Sequence, residues 1–466
     1  MMRRPLVVGG LLLLAGWLRA VVAAEPSDFP QRLPPTFQQV ALAAPQQGRL
    51  PVPIPSPAAE NPAAGPLSPE TSGVMVSGEE GTRGLELGSP DWPFTMRIGS
   101  WGHFRHSYLD SHGPNPGLNE LEFERLRLVF DGDVYSSDFR YFLQLDADSD
   151  AAEVVDMLDY YVTYDLGHDL WQLDPGRIAL RAGKWKIPFA RSRFEAGNRL
   201  QFADRSMAGV FFDFQRSIGI GLLGRLGGSG SPVEWFLTIT NGINTGNFRT
   251  GRTGDLSQNL AVAGRLTWLL AGDLGSDGEP DLDYRRIPAW RLGTGFAYSR
   301  EDRNDGLAEF SLARVVDSGE TLASVLPATV TAYDYCMFAL DSQLKYHGLS
   351  LIAEYLFRYL SGFSGAPVPD LFDHGLILQT GYFVVPHKLE IMARWSRIAG
   401  NSGTLGATYQ SADEIAAGIA WYIHGHNLKI VFDATHVNGA PISDPALNIL
   451  PGDDGWLYRT QFQFMF

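Results

Sequence analysis

The chain has 466 residues, a formal net charge of −15, 51 glycines, and 19% charged against 45% hydrophobic residues. That balance excludes a helical membrane protein and a disordered one, and the acidic excess excludes bulk nucleic-acid binding, which needs a dominant basic face. A single cysteine, Cys336, leaves no disulfide framework, no CxxC metal pair and no N-terminal lipid attachment.

The N-terminus reads as an export signal. Arg3 and Arg4 precede the apolar run "PLVVGGLLLLAGWL", and Val22 and Ala24 are the small residues of a cleavage site, so residues 1–24 are expected to be removed. The run falls short of the ~20 apolar residues that a spanning helix needs. Residues 26–93 then hold 14 of the 29 prolines. Proline fixes φ and lacks an N–H, so 25–93 is expected to be a disordered periplasmic linker.

From residue 94 to 466 the texture changes to period-two alternation, the mark of half-buried strands. In "RLRLVF", Leu126, Leu128 and Phe130 share one face and Arg125, Arg127 and Val129 the other. The same pattern predicts sixteen strands, at 94–108, 121–133, 138–148, 156–166, 177–186, 214–226, 233–242, 258–271, 289–300, 331–346, 349–360, 374–384, 387–397, 412–423, 426–437 and 455–466. Connections after odd-numbered strands are long and those after even-numbered ones mostly short, 167–176 and 272–288 excepted. One rim of tight turns and one of loops is the signature of an antiparallel transmembrane β-barrel, and a closed barrel is the only sheet that crosses lipid with its backbone satisfied. The last stretch, "GWLYRTQFQFMF", alternates aromatics with Arg459, Gln461 and Gln463 and ends on Phe466, as an outer-membrane assembly signal does. Tyr160, Tyr161, Tyr164, Trp421 and Tyr422 suit the aromatic girdles at the water–lipid boundary.

Against the acidic background, "LRAGKWKIPFARSRFEAGNRLQFADRS" at 180–206 gathers seven Arg or Lys with only two carboxylates, Glu195 and Asp204. It spans the end of the fifth strand and the long loop to the sixth. A lumen bounded by low-dielectric walls concentrates electric field. Lys186, Arg191, Arg193, Arg199 and Arg205 of the loop, with Arg125, Arg127, Arg140 and Arg181 on inward strand faces, would there draw anions through a constriction. Phe189, Phe194 and Phe202 would anchor such a loop inside. The competing placement is on the outer surface, where the arginines would bridge lipopolysaccharide.

"EFERLRLVFDGDVY", the basic segment, "QTGYFVVPHKLEIMARWSRI", "EIAAGIAWYIHGHNLKIVFDAT" and the terminal "YRTQFQF" together resemble the phosphate-selective porin O and P family, in order over about residues 120–466. The resemblance implies a trimeric sixteen-stranded barrel whose third external loop folds into the lumen and whose basic side chains attract phosphate or other anions. It sets Glu124-Arg125 where phosphate-binding members carry an arginine pair, and Asn198-Arg199 close to their constriction-loop lysine.

Other chemistry is not supported. "DADSD" at Asp146–Asp150 starts like a calcium loop, but Ala151 and Met157 stand where Gly and Glu belong. His424 and His426 read as a tight turn, and no zinc-protease, GxSxG or P-loop motif sits in a suitable context. No enzyme, metal or cofactor is expected. The expectation is an outer-membrane porin of a Gram-negative-type bacterium, passing small anions with phosphate as a candidate. Outer-membrane lipid, lipopolysaccharide and two further copies of the chain are its expected partners, with no nucleic acid. The alternative is a structural or adhesive envelope barrel whose Pro-rich arm contacts the cell wall. A lipid-hydrolysing barrel would need a Ser and a His together on one outward face, and no such pair occurs.

Overall fold

The computed structural model describes residues 84–88, 93–113, 115–147, 155–214, 216–227, 232–243, 259–275, 278–303, 313–316, 318–441 and 449–466. The expected signal peptide and nearly all of the Pro-rich linker lie outside the described residues. The strands are β1 (Leu85–Gly88), β2 (Thr95–Ser111), β3 (Leu118–Val134), β4 (Ser136–Asp146), β5 (Asp156–Tyr164), β6 (Ala179–Lys186), β7 (Arg216–Leu226), β8 (Val233–Thr240) and β9 (Ala261–Ala271). They continue as β10 (Ala289–Asp302), β11 (Ala332–Tyr346), β12 (Leu349–Ser364), β13 (Leu371–Val385), β14 (Leu389–Gly400), β15 (Gln410–Tyr422), β16 (Leu428–Asn438) and β17 (Gly455–Met465).

From β2 to β17 each strand pairs antiparallel with the next, and β17 returns to β2 with Phe464 opposite Gly102 and Tyr458 opposite Tyr108. The result is a closed sixteen-stranded barrel with no unpaired edge along the wall. Every expected strand is present, with ends shifted by a few residues. Leu121, Ile220, Ile415 and Trp421 are more than half exposed and form part of the outward apolar band. His103, Arg105, Ser217, Gln343, Arg358 and Asp433 are buried on the inward face, the polar interior that a barrel of this kind keeps. The chain termini of the barrel lie at the rim of short turns, the periplasmic end.

Two features depart from the expected pattern. Within the stretch assigned to the linker, β1 pairs with the start of β2, Leu85 opposite Ile98 and Gly88 opposite Thr95. It takes up the edge of β2 just below the point where Phe466 exchanges backbone bonds with Ser100 at 2.8 and 2.9 Å, so β1 continues the line of β17 beyond the last residue. The second is a bulge in β3. Phe104 pairs with Phe123 and His103 with Arg125, so one residue is skipped. Strict alternation would send Glu124 and Arg125 to opposite faces; the bulge buries both in the lumen.

Candidate functional site

Segment 187–214, the third external connection, runs through the lumen. The wall holds it by polar bonds from strands around the barrel. Arg265 of β9 donates to the Phe189 carbonyl at 2.9 Å, and the Ser192 amide donates to Glu354 of β12 at 3.0 Å. Lys429 of β16 reaches the Leu200 carbonyl at 2.6 Å, and Gln463 of β17 the Asn198 carbonyl at 3.0 Å. The Ala203 amide donates to Asp433 at 3.0 Å. Phe189, Phe194 and Phe202 are buried, as apolar anchors of a folded-in loop must be. The helix Met207–Phe211 is capped by Ser206, which accepts from the Gly209 amide at 3.1 Å. Its Met207 and Phe211, with Phe212 and Phe214 after it, join the apolar cluster formed with Leu356, Leu360, Leu371 and Ile398 of β12, β13 and β14.

Glycines on the inward wall make room for this segment. A Cβ on Gly295 of β10 would stand 2.1 Å from the Phe189 carbonyl oxygen, and one on Gly375 of β13 2.6 Å from the Phe212 ring. Larger residues there would keep the loop off the wall.

The cationic groups are matched with acceptors. Arg105 and Arg125 converge on Asp204 at 2.8 and 2.9 Å, and both also face Glu124 at 3.3 Å. Burial opposes ionisation of Asp204, but the guanidiniums of Arg125, Arg105 and Arg205 outweigh it and hold the carboxyl well below the usual range. Arg191 faces Glu279 at 3.3 Å and Glu195 at 3.7 Å. Arg205 ties the two limbs of the loop, donating to the carbonyls of Ser192 and Glu195 at 3.1 and 2.7 Å. A small, roughly water-sized cavity remains between loop and wall, lined by Arg191, Arg205 and Arg394 on one side of the charge balance and Asp204, Glu279 and Glu354 on the other.

Of the residues singled out from sequence, Arg125, Arg191 and Arg205 come together in the middle of the lumen. Arg193 pairs with Asp213 inside the loop at 2.9 Å, and Arg127 with Asp146 on the wall at 2.7 Å. Arg199 contributes its carbonyl, which accepts from the Glu279 amide at 3.1 Å. Lys186 closes β6 opposite Arg216. Arg181 donates to Thr163 at 3.1 Å and lies over the Tyr161 ring at 4.1 Å. Arg140 sits near the short turn after β3, 3.3 Å from Asp133. Sequence reasoning missed Arg105, Lys429 and the carboxylates Glu279, Glu354 and Asp433. Alternation alone could have turned Lys429 and Asp433 inward; nothing local announces Glu279, which comes from a turn at the other rim.

Residues 102–236 match the family Phosphate-selective porin O and P. The matched stretch runs from β2 into β8 and includes the whole of the lumen segment, so the resemblance drawn from the sequence is borne out there. Among solved structures, the anion-selective porin from Comamonas acidovorans superposes with a TM-score of 0.51 at 11% identity, covering 80% of this chain and 100% of that one. OmpT, an outer membrane protein of Vibrio cholerae, superposes with a TM-score of 0.50 at 8% identity, covering 82% of this chain and 99% of that one. At such identity these likenesses speak for the fold alone, a closed β-barrel of the kind found in the outer membrane. No curated protein matches the chain.

Proposed function

We propose that the chain is an outer-membrane diffusion channel for small anions, narrowed by segment 187–214 and assembled as a homotrimer. The observation that carries this reading is the basic loop held inside a porin-type barrel, where Arg191, Arg205 and the wall's Arg394 line a polar cavity and the wall's Arg105 and Arg125 meet the loop at Asp204. Segment 187–214 brings four arginines (191, 193, 199, 205) against three carboxylates (Glu195, Asp204, Asp213), an excess of one positive charge. Preference for anions is therefore modest. Phosphate binding is further weakened because Asp204 already occupies the Arg105–Arg125 pair that a phosphate oxygen would need.

Planar-bilayer recording of the purified protein in asymmetric KCl tests this. Chloride preference is expected, and it should fall when Arg191, Arg193 and Arg199 are changed to Gln. Cation preference unaltered by those changes would refute the reading. The packed lumen favours one second reading, a structural envelope barrel, and complete absence of conductance in every variant would select it.

A further inference from the structure

The connection 272–288 between β9 and β10 belongs to the periplasmic rim, where the β11–β12 turn is only His347–Gly348. Instead of turning tightly, it sends its first part, around Gly278 and Glu279, into the lumen from below to meet the loop that descends from above, and the rest returns along the rim. Glu279 is the meeting point. Its carboxylate takes Arg191 at 3.3 Å, the Gln201 amide at 2.9 Å and the Gln379 side chain at 2.8 Å. Gln343 of β11 holds the Gly278 carbonyl at 2.9 Å. Gln343 stands three residues above the end of β11, roughly 10 Å of strand, so the segment reaches well inside the rim.

We infer that segment 278–288 is a retractable periplasmic gate, latched shut by Glu279 against Arg191 and Gln201 of the lumen loop. This inference rests on the channel reading. Three features fit a part that moves. First, the segment takes no part in the barrel ladder, so withdrawing it breaks no strand pairing. Second, Gly272 and Gly275, both at positive φ (+63° and +61°), provide a hinge at its β9 side. Third, its attachment is mostly polar. At the rim the Gly348 amide donates to Asp281 at 2.7 Å, the His347 amide to the Arg285 carbonyl at 2.8 Å, and the His387 ring contacts the Leu282 carbonyl at 2.6 Å. Apolar contact comes from Leu282 and Tyr284 against the cluster around Phe202, from Tyr284 beside the His347 and His387 rings, and from the buried Pro280. The polar contacts exchange readily for water, whereas the helix Met207–Phe211 is fixed by a large apolar cluster and stays.

Single-channel recording of the full-length protein tests the gate. Glu279→Gln and Asp281→Asn, made separately, should each raise open probability several-fold over the parent. In a Cys336→Ser background, Tyr284→Cys with His347→Cys, whose rings lie 6.0 Å apart, can be bridged by a short bis-methanethiosulfonate. The bridged protein should fall silent and recover on reduction. Steady conductance in the bridged form, or latch variants no more open than the parent, would overturn the gate while leaving the channel intact. Silence of parent, latch variants and reduced protein alike would instead bring down the channel reading beneath it.

Discussion

Asp204 shows how one side chain sets the character of the lumen. It is an anion carried by the chain itself, fully buried between Arg105 and Arg125. Removing one member of such a buried set leaves uncompensated charge, typically about 3–5 kcal/mol. Asp204→Asn is therefore expected to lower the denaturant midpoint of the folded barrel, and to raise chloride preference and admit block by phosphate, because two guanidiniums are released. The same pairing fixes the pH response. A carboxyl whose folded-state pKa is depressed contributes stability above its unfolded value, about 3.9, and loses it only as pH falls toward the lower folded value. Glu279 is shifted in the same direction: burial opposes its ionisation, but Arg191 and the bonds from Gln201 and Gln379 prevail. Neither group should loosen the loop between about pH 5 and 8. Limited proteolysis of the loop across that range checks this, and a cleavage step near neutrality would contradict it.

At the scale of elements, the loop's position depends on the wall as much as on its own sequence. Gly295 and Gly375 permit backbone and ring to approach β10 and β13. Gly295→Val should push Phe189 off the wall, weaken docking of 187–214 and widen the channel. Larger unitary conductance with an unchanged barrel, judged by heat-modifiable migration in detergent gels, is the expected result. The β3 bulge acts in the same way. By turning Glu124 inward beside Arg125 it supplies a second carboxylate to the pair on Asp204, and it thereby lowers the net charge of the narrow zone.

The whole molecule has two solvents, lipid outside and a polar interior within, and the tryptophans report on both. Trp268, Trp395 and Trp421 are exposed on the outward face, whereas Trp101 and Trp185 are 0% and 2% exposed inside. Brominated lipid should quench the first set and spare the second. Trp421→Phe is expected to reduce the quenchable fraction and Trp101→Phe to leave it unchanged; equal loss from both would be incompatible with a closed cylinder in a bilayer. Part of the connection after β10 also packs against the barrel. Val315, Val316 and Leu322 of the connection after β10 are buried, and the Val316 amide donates to Ser402 at 3.1 Å.

Sixteen strands, a closed barrel, a long third loop and the concentration of arginine in it were legible in the amino-acid order. These are local properties: period-two alternation sets which face meets lipid, and turn length sets which rim is which. Lys429 and Asp433 in "NLKIVFDAT", alternating with Leu428, Ile430 and Phe432, were legible as inward in the same way. What the arginines face was set by contacts between distant parts of the chain. Asp204 meets Arg105 across 99 residues of chain, Glu279 meets Arg191 across 88, and the Ala203 amide meets Asp433 across 230. Charge pairing at such separations follows from strand register around a closed ring and from the depth to which two loops descend, and no local pattern encodes either.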